Sequence, residues 1–596
     1  MRRLKTLIAG LAAAAVLTAC STVGVSTATS TGTTTSTTST TSTSAASTVT
    51  AAQVLSANED STTMNDDEWS MDDAVDITLS GSTATTSTKG VTVDGNTVTI
   101  TAAGVYRLTG ILAGQVVVNA PEDAQVVLVL NGAEITSSST AAIAVLQADD
   151  VGVYLVDGTS NTLADTSSYA DDADVNAALF SEADLTISGT GSLSVTGNGN
   201  DGITSADDLV ILSGTIKVTA ADDGIRGKDS LTVKDGTITV EAGGDGFKSD
   251  NSDEDARGYL DLSGGMITIT AADDGLDAQT DIVLTGSEVT ITTGATDTDE
   301  STSKGVDAGA TFVIENGKLT VKASVEAVEA ATVIVAGGTT DLTSSDDGIN
   351  ASTGSGESMQ ADAGAYLEIS GGTLTVNAEG DGLDSNGNML VSGGTTTVYG
   401  PTRGGNGALD TNGSITITGG TLVAFDTGDM AEGPGTSSTQ GWLIASASGS
   451  AGDTVTIAAA SGNTVAEVTA AKAFGSVTYS SADITNGSSY QVKTSAGSTT
   501  VTAGEGGTGV WAAVAAAAPA DPQPVTRPNL GLRPSPQCPD QRLAEGPEAE
   551  SRSVARAVPV RREAEKASEG LNAWSEEFRV GPLGIEPRTR GLKDRP

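Results

Sequence analysis

The chain has 596 residues, with 30 Lys+Arg against 76 Asp+Glu, a formal net charge of −46 and no histidine. So acidic a protein has little with which to neutralise phosphates, which argues against nucleic acid as a partner. The missing histidine removes the usual general base, the commonest zinc ligand and every His-dependent triad. Aromatics are only 3% of the residues, which disfavours a globular core of packed rings and suits repetitive stacking of small and β-branched side chains.

Arg2, Arg3 and Lys5 precede an apolar run from Leu7 to Leu17. The run is too short to span a bilayer, which takes about 20 apolar residues. It closes on Leu17-Thr18-Ala19-Cys20, which looks like a bacterial lipobox. Residues 1–20 therefore read as a lipoprotein signal with Cys20 as the lipidated first mature residue, and the expected location is lipid-anchored on the extracytoplasmic or extracellular side of the cell membrane. The other cysteine, Cys538, lies far away in the tail, so no disulfide framework is expected. Residues 21–58 are rich in Ser, Thr and Ala and read as a disordered tether.

Residues 59–200 read as β-rich opening coils, with runs such as Gln125 to Leu130 and Val151 to Val156. The polar stretch Asp165 to Asp184 is expected to be an excursion with a short helix. From 201 to 425 the chain is regular. One unit, apolar-x-apolar-x-Gly-Gly-x-apolar-x-apolar with the first Gly often replaced, appears at Leu209 to Val218 and Leu231 to Val240. It recurs at Leu260, Ile282, Phe312, Val333, Leu367, Met389 and Ile415. Each copy predicts two short strands of period two around a Gly turn.

Between copies sits an Asp-Gly-apolar unit, as in Asp201-Gly-Ile203, Asp223-Gly-Ile225, Asp245-Gly-Phe247, Asp274-Gly-Leu276, Asp347-Gly-Ile349 and Asp381-Gly-Leu383. Hairpins of a β-sandwich would not keep Asp-Gly in constant phase between strand pairs. The repeat predicts an all-β, right-handed parallel β-helix whose stacked coils supply one another's core, with irregular capping strands at both ends. Residues 426–505 read as the C-terminal β cap. Residues 519–596 are Pro- and Arg-rich, nearly charge-balanced and without strand periodicity. Gly581 to Gly591 resembles a tRNA gene read as protein, so this tail reads either as a gene-calling artefact or as a basic disordered wall-binding segment.

Stacked coils place equivalent residues about 4.8 Å apart. Two bare carboxylates at that distance repel by roughly 3.5 kcal/mol at an effective dielectric of about 20. An aspartate ladder must splay, take up protons or bind cations, and Ca²⁺ suits it because it takes six to eight oxygen ligands in flexible geometry. The best ligand group is Asp222, Asp223, Asp245, Asp273, Asp274 and Asp277; Asp346, Asp347, Asp381 and Asp384 could form a second. The glycines are expected to allow the backbone turn that points carboxylates at an ion. Taken singly, any Asp-Gly is ordinary turn chemistry.

Residues 77–501 resemble the bacterial carbohydrate-binding domain-containing family. The likeness is most specific at Asp222-Asp-Gly-Ile-Arg-Gly-Lys-Asp229 and Gly244-Asp-Gly-Phe-Lys-Ser-Asp-Asn251, with Val127 to Gly132 and Leu185 to Leu193 matching as well. The resemblance implies an extracellular β-helix that binds calcium and an acidic, polygalacturonate-like polysaccharide. It also implies similarity to calcium-dependent pectate lyases. On that reading Arg226, Lys228 and Lys248 contact substrate carboxylates, or else offset the ladder as ion-pair partners. The alternative function is a lyase acting by β-elimination, with Lys248 or Lys304 as candidate base. A lysine beside aspartates has its pKa raised, which works against that role. A structural surface adhesin without a glycan ligand is a third possibility.

Overall fold

The computed structural model describes residues 49–170, 173–294, 303–354 and 360–506. Cys20, most of the expected tether and the tail 519–596 lie outside them. The sequence alternation resolves into coils of three short strands, and each strand pairs in parallel with its equivalent in the next coil. In one coil these are Ile225–Gly227, Ser230–Val233 and Thr237–Ala242. They pair with Phe247–Ser249, Tyr259–Leu262 and Met266–Ala271 of the next. Three parallel sheets result, and the body is a parallel β-helix. We refer to them as the first, second and third sheets in chain order.

The core is a set of inward columns. In the first sheet one column runs in register through Ile203, Ile225, Phe247, Leu276 and Val306, all fully buried. Each such side chain contributes roughly 1.5–3 kcal/mol of burial, which no single coil could collect alone. Between the second and third sheets the turn glycines have positive φ, as at Gly236 (120°) and Gly265 (87°), which accounts for that half of the repeat.

Two regions depart from the expectation. Among the described residues of 165–184 there is no helix; strand Ala177–Ser181 joins the first sheet instead. Buried Asp165 ties the excursion down by accepting from the Asn198 N–H (2.5 Å) and the Tyr169 hydroxyl (2.8 Å). The end of the expected tether is also ordered. Thr50 and Gln53 form a capping box that starts helix Ala51–Leu55. Ala51 and Val54 pack on Val283, Val313 and Ile334, an outward-facing column of the second sheet. From there the chain descends that column coil by coil. Asn58 bonds Asp281, Tyr259 bonds the Glu59 carbonyl, the Thr62 N–H bonds Asp208 and the Met64 N–H bonds Thr186. Trp69 meets Tyr154 edge-on at 5.1 Å before strand Val75–Gly81 enters the stack. Residues 49–74 are thus a strap along the solenoid.

At the other end, strand Thr421–Asp426 pairs antiparallel with Phe474–Ser480, and a four-stranded antiparallel sheet from Thr454–Ala459 to Gly497–Thr502 completes the cap. Lys472 of the cap donates to the carbonyls of Ala378 and Gly400 and pairs with Glu379, satisfying groups that the last coils leave open.

Candidate functional site

The Asp-Gly units fall in one column of the first sheet. Each carboxylate reaches along the helix axis to the next coil. Asp223 Oδ1 accepts from the Asp245 N–H (2.9 Å), Asp245 Oδ1 from Asp274 (2.9 Å) and Asp274 Oδ1 from Lys304 (2.6 Å). The pattern recurs from Asp347 to Asp381 and from Asp381 to Gly407. One oxygen of each aspartate therefore helps to hold the stack, and in Asp223 and Asp245 the other faces the Lys248 ammonium.

The glycines do not act through a special turn. None of Gly224, Gly246, Gly275, Gly348 and Gly382 has positive φ. A Cβ at Gly246 would lie 2.3 Å from Ile269 Cγ2 and 2.5 Å from the Gly275 carbonyl oxygen. Glycine is needed there because core and neighbouring coil both press on the Cα, which corrects the turn argument.

Three residues after each ladder position stands a second outward column. It runs from Arg226 to Lys248, Asp277, Asp307 and Glu329. The two columns together create the electrostatics. Lys248 Nζ lies 2.5 Å from Asp245, 3.4 Å from Asp277 and 3.5 Å from Asp223. Lys304 Nζ lies 2.7 Å from Asp307 and 2.6 Å from Glu329. Burial would lower both lysine pKa values, but the bonded and nearby carboxylates outweigh it and hold both above the ordinary lysine value.

Between these two ammonium groups lies a stretch where carboxylates outnumber cations. Asp245, Asp273 and Asp274 can bring one oxygen each within 4.8 Å of one another, and so can Asp274, Asp277 and Asp307. Asp274 belongs to both triplets. Burial, then Asp245, Asp307 and Asp273, push its pKa up to about 8 against the opposing Lys304 hydrogen bond; Asp277 rises to about 7, again chiefly by burial. The donor set is all oxygen, as a hard divalent cation requires, with each triplet supplying about half of a Ca²⁺ shell.

The other expected residues are placed differently. Asp222 is exposed, and Asp223 serves Lys248. Asp346, Asp347, Asp381 and Asp384 share one stretch but do not form such a triplet. Even so, burial and then Asp381 and Asp346 push Asp347 up to about 9. Arg226 is held by Asp250 through paired bonds of 3.0 Å, and Lys228 is half-buried outside the triplets. Asp307 carries no Asp-Gly signal in the sequence because its unit begins with lysine, although Lys304-Gly-Val-Asp307 repeats the spacing of Asp274-Gly-Leu-Asp277. A further triplet, Asp184, Asp207 and Asp208, has no repeat signal; it lies beside Arg257, which pairs with Asp207 at 3.6 Å.

Replacing Lys248 by methionine strips Asp223, Asp245 and Asp277 of their shared cation. Because Lys248 retains 24% side-chain exposure, the expected loss is about 2–3 kcal/mol rather than the full cost of breaking a buried pair. Urea unfolding checks this; a loss below about 0.5 kcal/mol would place Lys248 among ordinary surface ion pairs.

Residues 94–348 match the model of a family described as carbohydrate-binding domain-containing protein. That segment is similar to the carbohydrate-binding domain family. It contains both triplets and both lysines. A carbohydrate-binding domain-containing protein of Acetivibrio thermocellus is 38% identical over 136 residues, which is 22% of this chain and 48% of the relative. The chain thus spans about half the length of that relative. A solved structure described as the polysaccharide lyase-like protein from C. thermocellum, a gadolinium derivative, is 32% identical. It covers 42% of this chain and 96% of its own, with a TM-score of 0.38.

Proposed function

We propose that the carbohydrate-binding domain grips an acidic, polygalacturonate-like polysaccharide through Ca²⁺ held on the first-sheet ladder, outside the cytoplasm and anchored through Cys20. The observation that carries this reading is Asp274, shared by two carboxylate triplets in the gap between Lys248 and Lys304. Asp245, Asp273, Asp274, Asp277 and Asp307 would hold the metal. Bound there, it would bridge protein and uronate carboxylates and reverse the repulsion between an acidic protein and an acidic polymer. Such recognition needs no aromatic platform, which suits a chain with 3% aromatics.

Binding without cleavage is the reading the lysines support. A β-elimination base must be free to accept a proton near neutral pH. Both ammonium groups are instead held by two or three carboxylates, which keep the lysine pKa values above the ordinary one.

The full chain should be retained on insoluble polygalacturonate in calcium and released by chelator, with no growth of ultraviolet absorbance from unsaturated product. Asp274→Asn should abolish retention while the chain stays folded. Retention indifferent to chelator would remove calcium from the account, and absorbance growth lost in Lys248→Ala or Lys304→Ala would make the protein a lyase.

A further inference from the structure

The outward columns of the third sheet are as regular as those of the first but chemically unlike them. Thr239, Thr268, Thr290 and Thr320 stand in register. Toward the C-terminal end of this sheet, where it approaches the cap at Ala471, lies a hollow of about 370 Å³. That volume falls within the range of small-ligand pockets, about 300–1,000 Å³. Thr320, Thr375, Asn377 and Tyr399 supply hydroxyl, amide and phenol groups to its walls, and Lys322 and Asp341 add one charge of each sign.

Two features of this hollow point to a ligand. Thr320 Oγ1 and Asn377 Oδ1 are shielded from solvent, yet neither has a hydrogen-bond partner among the described residues. Polar atoms left in that state cost about 1–3 kcal/mol each, so a lining that keeps two of them suits a guest that brings hydroxyl donors. Tyr399, for its part, is held rigidly. Its ring stacks on Phe425 at 5.7 Å with planes 7° apart, and its hydroxyl donates to the Thr469 carbonyl at 3.3 Å. A fixed aromatic beside unsatisfied polar groups is a surface that an apolar sugar face and its hydroxyls can both use.

We infer that this hollow is a second glycan site, taking a neutral sugar unit of a polysaccharide and working without metal. Its wall charges balance, so it offers an acidic polymer nothing that the ladder of the first sheet does not offer better. Four of its residues, Thr375, Asn377, Tyr399 and Ala471, lie beyond the segment matched by the family. The site therefore stands apart from the calcium-dependent reading, and each can fail without the other.

The test is affinity electrophoresis of the full chain, with chelator present throughout, in gels containing hydroxyethylcellulose or galactomannan. Retardation by at least one of these neutral polymers is expected. It should weaken about tenfold in Asn377→Leu combined with Thr320→Val, the equivalent of about 1.4 kcal/mol of lost hydrogen bonding, and stay unchanged in Asp274→Asn. In the unaltered protein, the retarding polymer should also protect exposed Lys322 from acetylation, as read by mass spectrometry. No retardation on either gel, or retardation with no protection of Lys322, would overturn the proposal.

Discussion

Gly246→Ala is expected to lower the unfolding free energy by about 3 kcal/mol or more, with the midpoint in urea falling accordingly. The added methyl would sit 2.3 Å from a methyl of Ile269, itself only 1% exposed, and 2.5 Å from the Gly275 carbonyl oxygen. That carbonyl accepts the Phe247 N–H at 3.1 Å, so relieving the clash means parting two coils or moving a core side chain. Alanine normally gains about 0.4–1 kcal/mol over glycine through the unfolded chain, which is too little to offset such overpacking. The fair comparison is Gly132→Ala. There φ is 73° and nothing lies within 4 Å of the new Cβ, so the cost is backbone strain alone, about 1–2 kcal/mol. If the two variants melted alike, close coil packing at the Asp-Gly units would not be what demands glycine.

In chelator, the protein is expected to lose stability as the pH rises from about 5 to 9, and calcium should flatten that slope. Asp381, Asp277, Asp274 and Asp347 have folded-state pKa values raised to about 6, 7, 8 and 9, with burial the largest cause in each. In an unfolded chain aspartate titrates near 3.9. Between those limits the folded state holds more protons than the unfolded state, so stability falls with rising pH. Below about pH 4 both states are protonated and the penalty vanishes. Each group contributes at most about 1.4 kcal/mol per pH unit inside its own window, and neighbours in one ladder do not add independently. A total of several kcal/mol is the right order. At Asp274 and Asp277 a divalent cation replaces the protons, so in millimolar calcium the fall in melting temperature between pH 6 and 9 should shrink to the share set by Asp381 and Asp347, which lie outside the triplets. A metal-free protein whose melting temperature climbed toward pH 8 would contradict the charge balance drawn here.

Much of this architecture is legible in the residues. The spacing of 22 between Asp201, Asp223 and Asp245 follows from coils of constant length, and the alternation of Leu231, Val233, Ile238 and Val240 gives two of the three sheets. What spacing cannot convey is which way a carboxylate leans. The bond from Asp245 to the Asp274 N–H depends on axial stacking, and so does the division of the ladder by Lys248 and Lys304. Asp307 is not legible in the spacing because a lysine takes the aspartate's place in its unit, whereas the backbone register ignores that change. The strap was hidden differently. Its Thr50-x-x-Gln53 capping box closes a Ser/Thr-rich run, and no periodicity marks residues 56–74, whose hydrogen bonds to the coils, as at Asn58, Thr62 and Met64, span more than a hundred residues.

The strap also determines how the molecule carries mechanical load. Tension applied at the N-terminal side of Thr50 does not peel the first coil from the end of the stack. It arrives first at helix Ala51–Leu55, seated midway along the solenoid on Val283, Val313 and Ile334 and bonded from the Ala51 N–H to Glu315. Successive anchors at Asp281, Asp208 and Thr186 must give way in turn before strand Val75–Gly81 feels any pull. The fold thus places a series of sacrificial fasteners between the leading segment and the first coil of the stack.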